Sequence, residues 1–320
     1  MKNRVKDIDF KSADHVIEEI RNMNVKGGSP FGRSAAWAFK LAVELEQLDT
    51  WSALRDRFIK LQKQMYELKP TMATIYNSCE AVMSVMKNTE DLNEVKGRII
   101  NICDNIIEQS FEAVEKVGKV GSHLIHDQDV ILMHSYSSTL MGIFTEAALA
   151  NKKFKVICTE SRPLRESRNA VNVLTQLGVE TVFISDASVY AYMREADLVI
   201  MGADALCTNG DVANKMGSAQ IARLAQSCKL PVYFASELYK LDTKTLNGDP
   251  VVLEKRTRDE LVCEADFQEP DKVEVINQFF DITPAADITG IITEFGVLHP
   301  AQMLSFWDKL WENIQGGTVS

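Results

Sequence analysis

Apolar residues at helical spacing dominate the first third of the 320-residue chain. Val16, Ile17, Ile20 and Met23 form one stripe, and Trp37, Leu41, Val43 and Leu45 form another beyond the break at Gly27-Gly28-Ser29-Pro30. Leu54, Phe58, Leu61 and Met65 continue the pattern to Lys69-Pro70. Val95, Ile99, Ile102, Ile106 and Val114 then mark a long amphipathic stretch from about Leu92 to Val117. No segment before Asp127 reads as a strand, so residues 1–126 are expected to form a helical domain.

From Asp127 the pattern changes to short continuous apolar runs: Val130–Met133, Lys155–Cys158, Thr181–Ile184, Leu198–Met201, Val232–Ala235 and Gly290–Thr293. Helices are expected between them over Thr139–Ala150, Arg165–Leu177, Val189–Glu195 and Asn214–Cys228. Strands apolar on both faces and alternating with helices predict a buried parallel sheet. The expected fold class is α/β: an N-terminal helical domain followed, over residues 127–320, by a Rossmann-like parallel sheet domain.

Composition narrows the functional classes. A 46% hydrophobic fraction excludes a disordered or fibrous chain. With 35 basic against 45 acidic side chains the net charge is −10, which disfavours a nucleic-acid binder or an anionic membrane surface. An anionic small ligand remains compatible, because a few local cations suffice to hold it. The charged N-terminal stretch and the lack of any run of about 18 apolar residues predict neither a signal peptide nor a membrane span. Six scattered cysteines, with no CxxC and no histidine at metal spacing, read as reduced thiols of a cytoplasmic protein without a metal site.

In an open parallel sheet the ligand crevice lies outside the carboxyl ends of the strands. Each expected strand here ends in polar residues: His134-Ser135, Glu160-Ser161-Arg162, Asp186, Asp204, Glu237 and Glu294. Strand ends that reach water favour polar residues anyway, but six in succession, several of them acidic, suggest proton-transfer chemistry. No G-x-G-x-x-G follows a strand and no P-loop is present, so no nicotinamide, flavin or other cofactor is expected. Two segments offer phosphate contacts. Lys26, Gly27 and Gly28 open a helix that includes Arg33, combining close backbone approach, free N–H groups and charge. Asn214 and Lys215 are expected to open another: Asn214 would serve as N-cap, while Lys215 in a first turn would oppose the helix dipole. His15, His123, His126 and His299 lack paired ligands and read as surface or capping residues.

These residues, taken in order, resemble the initiation factor 2B alpha/beta/delta family, which also contains the archaeal ribose-1,5-bisphosphate isomerases and the methylthioribose-1-phosphate isomerases. The resemblance is carried by Asn24-Val25-Lys26-Gly27-Gly28, Lys69-Pro70-Thr71, Thr159-Glu160-Ser161-Arg162-Pro163, Gly202-Ala203-Asp204, Asn214-Lys215-Met216-Gly217, Ala235-Ser236-Glu237 with Tyr239-Lys240, and Asp281-Ile282-Thr283-Pro284. It implies a phosphorylated sugar or nucleotide bound across the crevice by Lys26, Gly27, Gly28, Arg33, Lys69, Arg162, Asn214, Lys215, Glu237 and Lys240. It also implies a homodimer or homohexamer, with translation factor subunits as further candidate partners. Asp204 would be one catalytic group.

Ser135 occupies the position of the isomerases' catalytic cysteine, and a serine hydroxyl is a far weaker acid than a thiol. Lys26 and Lys69 stand where the isomerases carry arginine, so charge is kept while the bidentate fork is lost. The expectation is therefore a phosphosugar or nucleotide binder with weak or no isomerase activity. The alternatives are an active ribose-1,5-bisphosphate isomerase of nucleoside salvage and a structural translation-factor subunit with a relic pocket.

Overall fold

A computed structural model describes residues 8–25, 27–87, 91–253 and 255–315. Five helices come first: α1 (Ala13–Arg21), α2 (Gly28–Leu45), α3 (Trp51–Leu68), α4 (Ala73–Val85) and α5 (Leu92–Ser122). Their starts follow from local chemistry. The side chains of Ser12, Thr50 and Asp91 accept hydrogen bonds from otherwise orphaned first-turn N–H groups of α1, α3 and α5. The apolar stripes face inward except at Leu45, which is exposed at the end of α2: Val16, Ile17 and Ile20 of α1 are buried with Leu54, Phe58, Leu61 and Met65 of α3. Phe58 packs on Phe39 of α2 at 4.9 Å between ring centroids.

The main sheet is built from β1 (Val130–Met133), β2 (Lys155–Thr159), β3 (Glu180–Ile184), β4 (Leu198–Gly202), β7 (Val232–Ala235), β10 (Gly290–Thr293) and β11 (Gly296–Leu298), in the order β11-β10-β7-β4-β1-β2-β3. All neighbours are parallel except β11, which turns back antiparallel on β10 at one edge. Six of these strands coincide with the apolar runs of the sequence to within a residue. The helices α6 (Ser138–Leu149), α7 (Ser167–Gln176), α8 (Val189–Met193) and α9 (Ser218–Ser227) connect them. From β1 the chain winds one way through β2 and β3 and the other way through β4, β7 and β10. The order therefore reverses between β1 and β4, which opens a crevice at their carboxyl ends.

Three features escape the apolar pattern. A second sheet, β8-β5-β6-β9, is made of the short strands β5 (Ala205–Cys207), β6 (Val212–Lys215), β8 (Leu241–Asp242) and β9 (Phe280–Thr283). The described residues within 243–279 form only short helical turns and one isolated antiparallel bridge, Lys255 to Gln278. A last helix, α10 (Met303–Ile314), returns to α5, where Asn105 Nδ2 donates to the Ile314 carbonyl at 3.1 Å. One cluster of buried apolar side chains runs from Ala13 in α1 through the sheet to Ile314 in α10. No helix among the described residues is long and apolar enough to cross a membrane.

Candidate functional site

Ser135 and Asp204 follow β1 and β4, the neighbouring strands that flank the switch point. The two loops touch: a Cβ on Gly202 would come within 2.5 Å of Ser137 Cβ, so only glycine permits this approach. Ser135 adopts the left-handed region at φ 68°, and its N–H donates to Ser161 Oγ at 2.7 Å. Its hydroxyl has no hydrogen-bond partner among the described residues.

The adjacent His134 cannot activate that hydroxyl. Its ring is buried, with Nε2 2.8 Å from the Met216 carbonyl and Nδ1 2.6 Å from Thr159 Oγ1. A carbonyl only accepts, so Nε2 carries the proton and Nδ1 accepts from the threonine. Burial holds the imidazole below its ordinary pKa despite Met216 and Asp186, which keeps it neutral. Both nitrogens are thus committed.

The loop after β2 is fixed by its own polar network. Asp186 accepts from the backbone N–H groups of Ser161 and Arg162, each at 2.8 Å, and Ser161 Oγ lies 2.7 Å from Ser167 Oγ. The Arg162 side chain is exposed beside a cavity of about 290 Å³ lined by His134, Asp186, Gly217, Leu261 and Asn277.

Lys215 and Asn214 lie on β6, not at a helix start. The cap of α9 is Gly217 at φ 106°, and Asn214 instead donates through Nδ2 to Ser218 Oγ at 2.8 Å. The N-terminus of α9 is already occupied. Asp281 accepts from Gly217 N at 2.7 Å and from Ala219 N at 3.2 Å, so these amides face a carboxylate instead of a ligand phosphate. Burial pushes Asp281 up to about 6 against those hydrogen bonds.

Lys215 is 2% exposed, yet it is a hub. Its ammonium bonds Glu166 Oε1, lies 3.3 Å from the Phe279 ring centroid and feels the attraction of Asp204. Burial lowers its pKa, and these carboxylates oppose the shift. Arg256, held by Glu260, covers the same Phe279 ring at 4.8 Å.

Lys240, 5% exposed, donates to the Ala203 carbonyl at 2.8 Å, next to Asp204. It packs so closely on Gly28 that a Cβ there would stand 2.9 Å from Lys240 Cε. No carboxylate lies within ion-pair distance of Lys240 among the described residues. Gly27, at φ 92°, is the N-cap that precedes α2.

The remaining candidates point elsewhere. Lys26 lies outside the described residues. Lys69 turns its ammonium to Met23 Sδ at 3.0 Å and toward the Phe31 ring. Arg33 donates to Ser110 Oγ at 2.9 Å and stacks over Phe111 on α5. Burial lowers its pKa, with Glu237 opposing. Glu237 is buried and accepts from Thr139 Oγ1 at 2.9 Å. Among the described residues no group of three or more His, Cys, Asp or Glu is placed to hold a metal.

Sequence reasoning missed Glu166, Arg256 and Phe279. Glu166 carries a weak signal in the charged run after Pro163, whereas Arg256 and Phe279 come from the aperiodic segment 243–279 and carry none.

Glu294, at the end of β10, accepts from Leu238 N at 3.0 Å beside a second cavity of about 390 Å³. Burial pushes its carboxyl up to about 7, and Glu237 adds to the rise. The folded value therefore lies above the unfolded one, near 4.3. The stabilisation by the neutral form is complete below that pH and is lost as pH rises through about 7. Glu294→Gln, which cannot ionise, should gain denaturation midpoint relative to the parent between pH 5 and pH 8. A difference that stays constant across that range contradicts the assignment.

Ribose 1,5-bisphosphate isomerase of Pyrococcus furiosus is 33% identical over 290 residues, covering 89% of this chain and 90% of that protein. A Pyrococcus horikoshii protein named putative translation initiation factor eIF-2B subunit 2-like is 32% identical over 286 residues, covering 89% and 95%. Among solved structures, Pyrococcus horikoshii translation initiation factor eIF-2B superposes with a TM-score of 0.76 at 31% identity, over 91% of this chain and 98% of that one. A sequence profile of the Initiation factor 2 subunit family matches residues 24–300, which span the switch point, the second sheet and the loops described above. The chain belongs to the initiation factor 2 subunit family.

Proposed function

We propose that this protein binds a phosphorylated sugar or nucleotide over the ends of β1, β4 and β6, and that it does not isomerise the ligand at an enzymatic rate. The buried Lys240 ammonium carries the reading. A buried cation is expected to be paired, and among the described residues this one has only the Ala203 carbonyl, with Gly28 packed against its stem. An anionic group completes such a site. The similarity to proteins named for ribose 1,5-bisphosphate supports a phosphosugar as that anion.

Weak or absent turnover follows from Ser135. Aldose–ketose isomerisation moves a proton between neighbouring carbons and needs a group to take it and a group to serve the oxygens. Asp204 fills one role. For the other, Ser135 offers a hydroxyl of high pKa with no base beside it, because His134 is committed to Thr159 and Met216. Self-assembly into a homodimer or homohexamer, or assembly with translation factor subunits, belongs to the same proposal. A relative's name as an eIF-2B subunit supports it, and sedimentation velocity reads it directly.

Isothermal calorimetry tests the binding claim. Ribose 1,5-bisphosphate, ribose 5-phosphate and AMP are titrated into the full chain, and saturable binding of at least one, with one site per chain, is expected. No heat of binding with any of the three overturns the reading in favour of a structural subunit.

A further inference from the structure

The Lys215–Glu166 pair leaves one oxygen unexplained. Glu166 Oε1 takes the Lys215 ammonium, but Oε2 is shut off from solvent and has no hydrogen-bond partner among the described residues. A buried carboxylate oxygen without a donor is costly. Covalent geometry fixes Oε2 beside Oε1, so it lies next to the Lys215 ammonium, which Asp204 attracts from its own loop. The loop carrying Glu166 is held through the amides of Ser161 and Arg162 by Asp186.

The missing group must be a donor. A phosphate oxygen would meet a carboxylate and be repelled, so the phosphate belongs at Lys240 and a different part of the ligand at Glu166. On a phosphorylated sugar that part is a ring or chain hydroxyl. We propose that Glu166 accepts a hydrogen bond from a sugar hydroxyl, so that the site selects phosphosugars that keep this hydroxyl over their deoxy counterparts. This rests on the phosphosugar reading above and adds to it the feature of the sugar that is recognised. A ligand lacking the hydroxyl leaves Oε2 buried and unpaired, which is the strongest basis for rejecting an analogue.

The test compares ribose 1,5-bisphosphate with its 2-deoxy and 3-deoxy analogues by calorimetry on the full chain, and repeats the series with Glu166→Gln. The unmodified protein should bind one deoxy analogue about 10- to 100-fold more weakly, as for loss of a hydrogen bond to a charged group. Glu166→Gln weakens all three ligands through Lys215, so its informative readout is the ratio, which should fall to within about threefold. Equal affinity of the unmodified protein for all three compounds overturns the proposal while leaving phosphosugar binding intact. A ratio unchanged in Glu166→Gln overturns it as well. Failure of the unmodified protein to bind ribose 1,5-bisphosphate removes the underlying reading and this inference together. The comparison on the unmodified chain needs no variant to fold.

Discussion

Replacing Ser135 with cysteine is expected to raise conversion of ribose 1,5-bisphosphate to ribulose 1,5-bisphosphate by about 10²–10⁴-fold, the range that a well-placed proton-transfer group supplies. The backbone is already set for it. Ser135 sits at φ 68° with its N–H on Ser161, and the exchange of oxygen for sulfur leaves that conformation untouched. Two residues on, Ser137 caps α6 by accepting from Leu140 N, so the new thiol stands near the positive end of a helix. That end favours a thiolate, whose ordinary pKa near 8.5 is already far closer to neutrality than that of an alcohol. Single-turnover ³¹P NMR on folded variant and parent measures the ratio. A variant no faster than the parent, with its fold intact by circular dichroism, means that the missing acid is not what limits the site.

Lys240→Met should weaken binding of ribose 1,5-bisphosphate by at least about 100-fold while leaving the free protein as stable as before, or more so. The two effects have one cause. An ammonium whose one partner among the described residues is a carbonyl costs desolvation energy in the free protein and regains it when an anion arrives. Methionine fills nearly the same volume against Gly28 without the charge. The Ala203 carbonyl loses its donor, at a cost of about 1–3 kcal/mol, and removal of an uncompensated buried charge offsets that. Calorimetry and a urea titration separate the two readouts. Marked destabilisation with unchanged affinity would assign Lys240 to the fold and not to the ligand.

How much of this was legible in the sequence depends on which physical signal each residue carries. The six parallel strands are continuous apolar runs that match the sequence pattern nearly to the residue; five are buried within the sheet, and β3, at its edge, leaves Phe183 exposed. The strands of the second sheet are two to four residues long, too short for a periodic signal, so the sequence around β6 reads as the start of a helix. That pattern puts Asn214 at a cap and Lys215 in a first turn, whereas both lie on the strand. The true cap, Gly217, is defined by a positive φ, and the amides beside it were taken by Asp281 from a strand more than 60 residues away.

Ser135 and Asp204 stand out in the sequence because each follows an apolar run, and strand ends at a switch point are where a parallel sheet exposes polar groups. Arg33 and Lys69 show the limit of charge counting. Both are cations near the expected site, and each directs a donor to a neighbour, Ser110 or Met23, that no local pattern reveals. Glu166 became visible only once the fold brought it to Lys215, 49 residues away in sequence.

The central claim, that the pocket binds without turning over, is tested most directly by incubating the unmodified protein with saturating ribose 1,5-bisphosphate and following ribulose 1,5-bisphosphate by NMR. The account predicts a bound ligand and product no faster than the uncatalysed background. Turnover at about 1 s⁻¹ or above, within the ordinary enzymatic range, contradicts it and makes the protein an isomerase that works without the thiol.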